Sequence, residues 1–176
     1  MRKSTFLTTI ALAFTMLFSI HSNAQKFPGL DGSPLDIAYF RTDRNAPPMI
    51  KVFYSRPQLK GRELDKLAPN GKVWRTGANE ATEVHFFQDM NFGGKTVKAG
   101  TYSLFTIPGE KEWTIILNSD LDVWGAFSYK ENKDVLRVTA PVSSGDSIEA
   151  FAITFDNNNM YLGWGTTRVA IPVSKN

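Results

Sequence analysis

The sequence contains no cysteine and only two histidines, and these shortages remove several classes of chemistry. Without cysteine there is no disulfide framework, no thiol nucleophile, no Cys-ligated metal and no lipidated cysteine of a bacterial lipoprotein. Only His85 lies beyond the first 24 residues, whereas zinc catalysis usually takes two or three imidazoles. The Gly-x-Ser-x-Gly motif of a serine nucleophile is also missing. We therefore expect no cofactor and no metal.

An excess of one charge and a second membrane-length apolar run are missing as well. Residues 1–24 have the pattern of a secretory signal, with Arg2 and Lys3 at the start, an apolar run over residues 6–20, and Ser22 and Ala24 at the cleavage positions. Removing them would leave 152 residues, and the 20 basic residues would fall to 18 against 17 acidic ones. That balance gives no basic face for nucleic acid. We expect an exported protein, periplasmic or secreted, with no integral membrane segment after cleavage.

A hydrophobic period of two residues recurs along residues 25–176 and predicts β-strands. The segments are rich in β-branched and aromatic residues and are separated by turn formers such as Gly93-Gly94 and the stretch from Ser143 to Asp146. They read IKVFYS, TEVHFF, TYSLFTI, WTIILN, DVLRVTA, SIEAFAITF, MYLGW and TRVAIPV. The pattern is typical of an all-β, single-domain, antiparallel β-sandwich or jelly roll. Aromatic residues on these segments are assigned to the core, namely Tyr102, Phe105, Trp113, Phe151, Phe155 and Trp164.

One long connection, residues 56–81, interrupts this rhythm after the first core strand. Loops longer than about 12 to 15 residues are uncommon in compact domains and are usually functional or disordered. Disorder is disfavoured here because Leu59, Leu64, Leu67 and Trp74 would have to remain in water. We predict an ordered loop with at most one helical turn, around residues 63–67.

Several motifs of the sequence resemble those of a known family. They are YSRPQLKGRE from Tyr54, GKVWRTGANEAT from Gly71, AGTYSLFTIPGEKEWTIILN from Ala99, and WGAF from Trp124. Together they are similar to the bacterial exported proteins catalogued as domain of unknown function 2911, over about residues 30–173. The resemblance implies a secreted single domain and no accepted activity. Family members often carry an aromatic residue where this chain has Asn70.

The composition of residues 56–82 favours ligand binding. Arginine suits two-pronged recognition of carboxylate or phosphate, a tryptophan beside amide and acid groups suits a sugar face, and ligand sites are often on loops. The sequence therefore predicts non-catalytic binding of a small polar or anionic ligand, or of a glycan, by this loop. The candidate residues are Arg56, Lys60, Arg62, Trp74, Arg75, Asn79, Glu80 and Thr82.

Two alternatives use the same loop. Glu63 and Glu80 are weak catalytic candidates for a glycan-directed hydrolase, which needs a pair of carboxylates. In the other alternative the loop is a structural staple of a structural or partner-docking envelope domain. Arg56 would then pair with Glu80, Arg75 would pair with Glu63 or Asp65, and Trp74 would fill the end of the core. Gly77 and Asn79 would be needed only for positive backbone dihedrals.

Two segments near residue 120 are also of interest. Asn118, Asp120 and Asp122 alternate like calcium ligands, but Val123 stands where the calcium loop needs glycine, and a plain turn is favoured. The WGAF segment, residues 124–127, could form a rim of the cleft over the long loop.

Overall fold

Within residues 25–176, nine antiparallel strands form one hydrogen-bonded sheet. The computed structural model describes residues 25–176, so the predicted signal segment lies outside the described residues. The strands are Leu35–Phe40 (β1), Ile50–Ser55 (β2), Thr82–Phe86 (β3), Met90–Phe92 (β4), Lys95–Val97 (β5), Gly100–Ile107 (β6), Glu112–Asn118 (β7), Asp134–Asp156 (β8) and Asn159–Lys175 (β9). Their order in the sheet is β1-β2-β3-β6-β7-β8-β9-β4-β5. The all-β antiparallel prediction is confirmed, while the division into a sandwich or jelly roll stays a prediction.

Helical structure is scarce in the part of the chain that the structure describes. Residues 25–176 contain one α-helix, Leu64–Leu67 (α1), where the sequence predicted a single turn, and one 3₁₀ helix, Glu131–Lys133. Within residues 25–176, no helix combines the length and the apolar composition that a membrane crossing requires. Residues 31–176 form one compact unit, and residues 25–30 have no regular structure.

The strand alternation read from the sequence decides which side chains face the core. In β2, Ile50, Val52 and Tyr54 are buried, whereas Lys51 and Phe53 are only half-buried. Neighbouring strands follow the same rule, because Val52 lies directly opposite Val84 of β3. The first three strands therefore bury one face and leave the other towards solvent.

The two longest strands, β8 and β9, each join two predicted strands. The expected turn between Ser143 and Asp146 is instead a pair of register shifts within β8, on either side of Ile148. The first part of β8 pairs with β7 and the part from Val142 pairs with β9. Because β8 changes partner midway, the sheet folds over, and Tyr54 of β2 packs edge-on against Phe151 of β8 with ring centroids 5.8 Å apart.

Two apolar clusters result. The large one contains most buried side chains, including Trp113, Phe151 and Trp164, as predicted. Phe105 is also buried as predicted, but it belongs to a smaller cluster with Ala81 and Ile116. The smaller cluster is covered by half-buried residues of the long loop and of the segment after β7, namely Val73, Val123, Ala126 and Tyr129. Tyr102 and Phe155 are only partly buried and pack against the large cluster.

Candidate functional site

The long loop is folded and is fixed at three places, twice to the sheet and once to the segment between β7 and β8. Isolated antiparallel bridges join Gln58 to Ala150, Trp74 to Thr106, and Glu80 to Trp124. The middle bridge has two backbone hydrogen bonds, 2.8 Å from Trp74 N to Thr106 O and 2.9 Å from Thr106 N to Trp74 O. The prediction of an ordered excursion is confirmed, and its side chains can be placed individually.

Trp74 belongs to the core. Only 5% of its surface is exposed. Its ring stacks on Trp164 at 5.5 Å and meets Phe151 and Trp113 edge-on at 5.1 and 6.0 Å. A ligand cannot reach a face that is already covered by three aromatic rings, so Trp74 stabilises the fold as the staple alternative predicted.

Arg56 is also engaged within the protein, but not with the partner that the staple alternative named. Its guanidinium lies 3.0 Å from the Asp36 carboxylate and donates from Nε to the Phe151 carbonyl at 3.0 Å. Tyr54 donates its hydroxyl to the same carboxylate at 3.3 Å. The predicted pair of Arg56 with Glu80 is therefore wrong, because the Arg56 guanidinium pairs with the carboxylate of Asp36 on the neighbouring strand β1.

Arg75 forms neither of the predicted ion pairs with Glu63 or Asp65; Asp65 instead lies 3.7 Å from Lys66. Its Nε is buried and has no hydrogen-bond partner within the part of the chain that the structure describes. Burial lowers the pKa of the Arg75 guanidinium from its ordinary value. Arg75 thus takes part in none of the ion pairs found in residues 25–176.

The remaining loop cations lie at a different place. Arg62 donates to the carbonyls of Leu59 and Gln58 at 2.9 and 2.8 Å, and so closes its own turn. The Lys60 backbone N donates to the Glu149 carboxylate at 2.6 Å. Arg62 and Glu63 line a hollow of about 320 Å³ that Glu80 does not line. The expectation that the charged and aromatic groups of the loop converge on one spot is thus wrong.

The end of the loop is held by internal hydrogen bonds. Thr82 is buried, and its hydroxyl donates to the Thr76 carbonyl at 2.7 Å. The Thr76 hydroxyl lies 3.2 Å from that of Thr106. Thr76 and Asn79 both have positive φ, 55° and 60°, which is unusual for a β-branched residue such as Thr76. Thr82 therefore secures the backbone and is not open to a ligand.

Gly77 is required for a close approach and not for a positive φ. A Cβ at this position would lie 3.0 Å from the Thr82 hydroxyl and 3.1 Å from the Ser55 carbonyl. We expect Gly77→Ala to lower the free energy of unfolding by about 1 to 3 kcal/mol, because buried backbone must move. Urea denaturation would measure this, with Gly32→Ala as a control in open space. Equal stability of the two variants would contradict the close-packing argument.

Glu80 lines a second hollow, which we call the acidic hollow. It has a volume of about 340 Å³ and lies on the outer face of β1, β2 and β3. Phe53 and Glu83, which face each other across β2 and β3, form part of its floor. The Glu83 carboxylate accepts a hydrogen bond from Asp122 N at 3.4 Å. The lining residues are Leu35, Phe53, Tyr54, Ser55, Glu80, Ala81, Glu83 and Asp122.

An exposed tryptophan lies opposite Glu80, one of the residues that line the acidic hollow. Ala81 N donates to Val123 O at 2.9 Å and Gly125 N donates to Asn79 O at 3.0 Å, so the two segments form a short ladder. Glu80 and Trp124 lie opposite each other in it, and opposite residues point to the same face. Trp124 is 60% exposed. The WGAF segment, predicted as a rim, does lie beside the end of the long loop.

The acidic hollow combines hydrogen-bond acceptors with an apolar surface. Its lining contains three carboxylates, Glu80, Glu83 and Asp122, and no cationic side chain. Within residues 25–176, no group of three or more His, Asp or Glu side chains is placed to hold a metal ion. The carboxylates of the hollow can accept hydrogen bonds from the hydroxyl groups of a ligand, and its apolar side chains can cover the carbon skeleton of that ligand.

Two of the three calcium candidates of the sequence have side chains engaged in contacts within the protein. Asn118 is buried and donates to the Lys130 carbonyl at 2.9 Å and to the Asp134 carboxylate at 2.8 Å. Asp120 lies 3.1 Å from the Lys130 ammonium. These residues anchor the segment between β7 and β8, which carries Trp124.

A family model described as "Protein of unknown function (DUF2911)" matches residues 38–173. The matched range contains both segments of the short ladder and all of the lining of the acidic hollow except Leu35. No match is found among curated proteins or among solved structures.

Proposed function

This chain belongs to the DUF2911 family, and on that premise we propose that it is an exported, non-catalytic domain that binds a glycan in the acidic hollow. Export is supported by the signal pattern of residues 1–24. Binding is supported by the hollow and by the side chains around it.

The observation that carries the proposal is the exposed Trp124 opposite Glu80, beside a hollow of about 340 Å³. An indole face packs against the C–H face of a sugar, and carboxylates accept hydrogen bonds from its hydroxyl groups. Ligand pockets measure about 300 to 1,000 Å³, so the hollow accommodates a small segment of a chain.

The sequence suggested a small polar or anionic ligand or a glycan, and the carboxylates of the acidic hollow reduce this choice. An anion placed directly in the hollow would face three carboxylates, whereas the loop cations Arg56 and Arg62 are bonded elsewhere. Like charges at short range repel each other. A neutral, hydroxyl-rich segment is therefore the ligand that fits this hollow.

The hydrolase alternative has no such support. Glu63 and Glu80 line separate hollows, so they do not flank one scissile bond as paired catalytic carboxylates must. We do not propose it further.

We expect Trp124→Ala to weaken glycan binding by at least roughly tenfold, equivalent to about 1.4 kcal/mol, without lowering the melting temperature. The side chain is exposed, so its loss removes stacking area from the site and little from the core. A screen of neutral oligosaccharides would find a binding probe, and titration calorimetry would compare the variants.

Val135→Ala is the matched control, because it shortens an exposed apolar side chain elsewhere, on β8. This variant should bind the glycan as the unaltered protein does. Unchanged affinity in Trp124→Ala would refute the site. A failure of every oligosaccharide to bind the unaltered protein would refute the function.

A further inference from the structure

Three side chains of β1, β2 and β3 form a row on the outer face of the sheet. Tyr39 lies opposite Lys51, and Lys51 lies opposite His85. Their chain neighbours Ala38, Val52 and Val84 are buried in the core. Because successive side chains of a strand alternate between faces, the row points to solvent.

The row is extended by Phe87 and Arg41 into what we call the aromatic–cationic platform. The Lys51 ammonium lies 5.7 Å from the ring centroids of both Tyr39 and Phe87. The Arg41 guanidinium lies 4.6 Å from the Tyr39 centroid, and the His85 ring lies 4.2 Å from that of Phe87. Tyr39 and Phe87 are 36% and 48% exposed. Ring faces and cationic groups are thus presented together.

Arg41 and Lys51, the cations of the platform, take part in none of the ion pairs found in residues 25–176. Arg41 donates to the Arg44 carbonyl, and His85 Nδ1 is bonded to the Thr101 hydroxyl. An incoming anion would therefore meet two uncompensated cations beside exposed rings.

The platform is continuous with the acidic hollow. Phe53 lines the hollow and lies two residues from Lys51 on the same face of β2, a separation of about 7 Å. On β3, Glu83 of the hollow and His85 of the platform have the same spacing. One face therefore carries acceptors at one end and cations at the other.

We propose that the ligand is an acidic glycan that runs along this face, with a hydroxyl-rich unit in the acidic hollow and the carboxylate of a neighbouring unit on the aromatic–cationic platform. This proposal rests on the proposed function and names its ligand class. The spacing keeps the carboxylate of the glycan away from Glu80, Glu83 and Asp122 and close to Lys51 and Arg41.

The test uses a matched pair of probes, a uronic-acid oligosaccharide and the same oligosaccharide with its carboxyl groups reduced to alcohols. We expect the acidic probe to bind roughly tenfold more tightly, since a charge-assisted bond is stronger than a neutral one. The preference should shrink as salt is raised. Lys51→Gln should reduce the preference, and the double variant Arg41→Gln/Lys51→Gln should abolish it, because both cations lie at the Tyr39 ring.

Lys111→Gln removes one exposed charge at the turn between β6 and β7 and serves as the matched control. Trp124→Ala should weaken both probes. Equal binding of the two probes would overturn the acidic-glycan inference and leave the proposed function standing. An undiminished preference for the acidic probe in the Lys51→Gln variant would have the same meaning. Binding of neither probe would count against both.

Discussion

Trp74→Ala is expected to lower the free energy of unfolding by about 3 to 5 kcal/mol, the cost of truncating a large aromatic side chain in a core. The indole contacts Trp113, Phe151 and Trp164, which come from β7, β8 and β9. Its loss leaves a cavity where the long loop meets the folded sheet. Urea denaturation followed by circular dichroism would give the change.

Trp124→Ala provides the matched control because it deletes the same side chain at an exposed position. We expect its stability to change by less than about 0.5 kcal/mol. The Trp74→Ala variant should thus lose stability, whereas the Trp124→Ala variant should lose affinity for the glycan. A Trp74→Ala protein with unaltered stability would contradict the core assignment.

Asn118→Ala is expected to cost about 2 to 3 kcal/mol, because buried polar partners lose their hydrogen bonds. Its amide donates to Lys130 O and to Asp134, and its carbonyl accepts from Asp120 N at 2.9 Å. The variant should also bind the glycan more weakly, since these bonds fix both ends of the segment that carries Trp124. Thermal unfolding and calorimetry would measure the two effects.

Asn132→Ala is the control for this prediction, because Asn132 is exposed in the adjacent 3₁₀ helix. The pKa of Tyr129 gives a local readout, because the Tyr129 hydroxyl donates a hydrogen bond to Asp134 at 2.7 Å. Burial, together with this bond, raises the pKa of Tyr129 to about 12. If Asn118→Ala left stability and binding unchanged, the anchoring role would be refuted.

The strands that the sequence predicted well are those with a regular period of two. Ile50–Ser55 and Thr82–Phe86 have a side chain buried at every second position, which the letters IKVFYS and TEVHF show directly. Met90–Phe92 and Lys95–Val97 were missed because three residues are too few to display a period. The stretch from Ser143 to Asp146 was read as a reversal, but the same residue types also tolerate the irregular backbone of a register shift.

The candidate site was only partly predictable. Glu80 and the WGAF segment were recognised separately, but their pairing depends on a bridge between positions far apart in the chain. Glu83 was not proposed, and Asp122 was singled out only as part of a calcium-like pattern, since an acidic residue on a strand or turn carries no signal of its own for glycan binding. Trp74 and Arg56 were named both as binding candidates and as parts of the staple, because a loop has no period that tells an inward side chain from an outward one.

The hydrogen bonds of Tyr54 and Arg56 have a consequence for the exposed side of β8. Their side chains donate to the carbonyls of Ile153 and Phe151, and Phe151 N donates to Pro57 O at 2.8 Å. This stretch of β8 pairs with β9 on its other side. Backbone groups that are already bonded on both sides cannot template the addition of a strand from another molecule, which is how β-rich proteins begin to aggregate. Two side chains, from β2 and from the start of the long loop, thus close this stretch of β8 to strand addition.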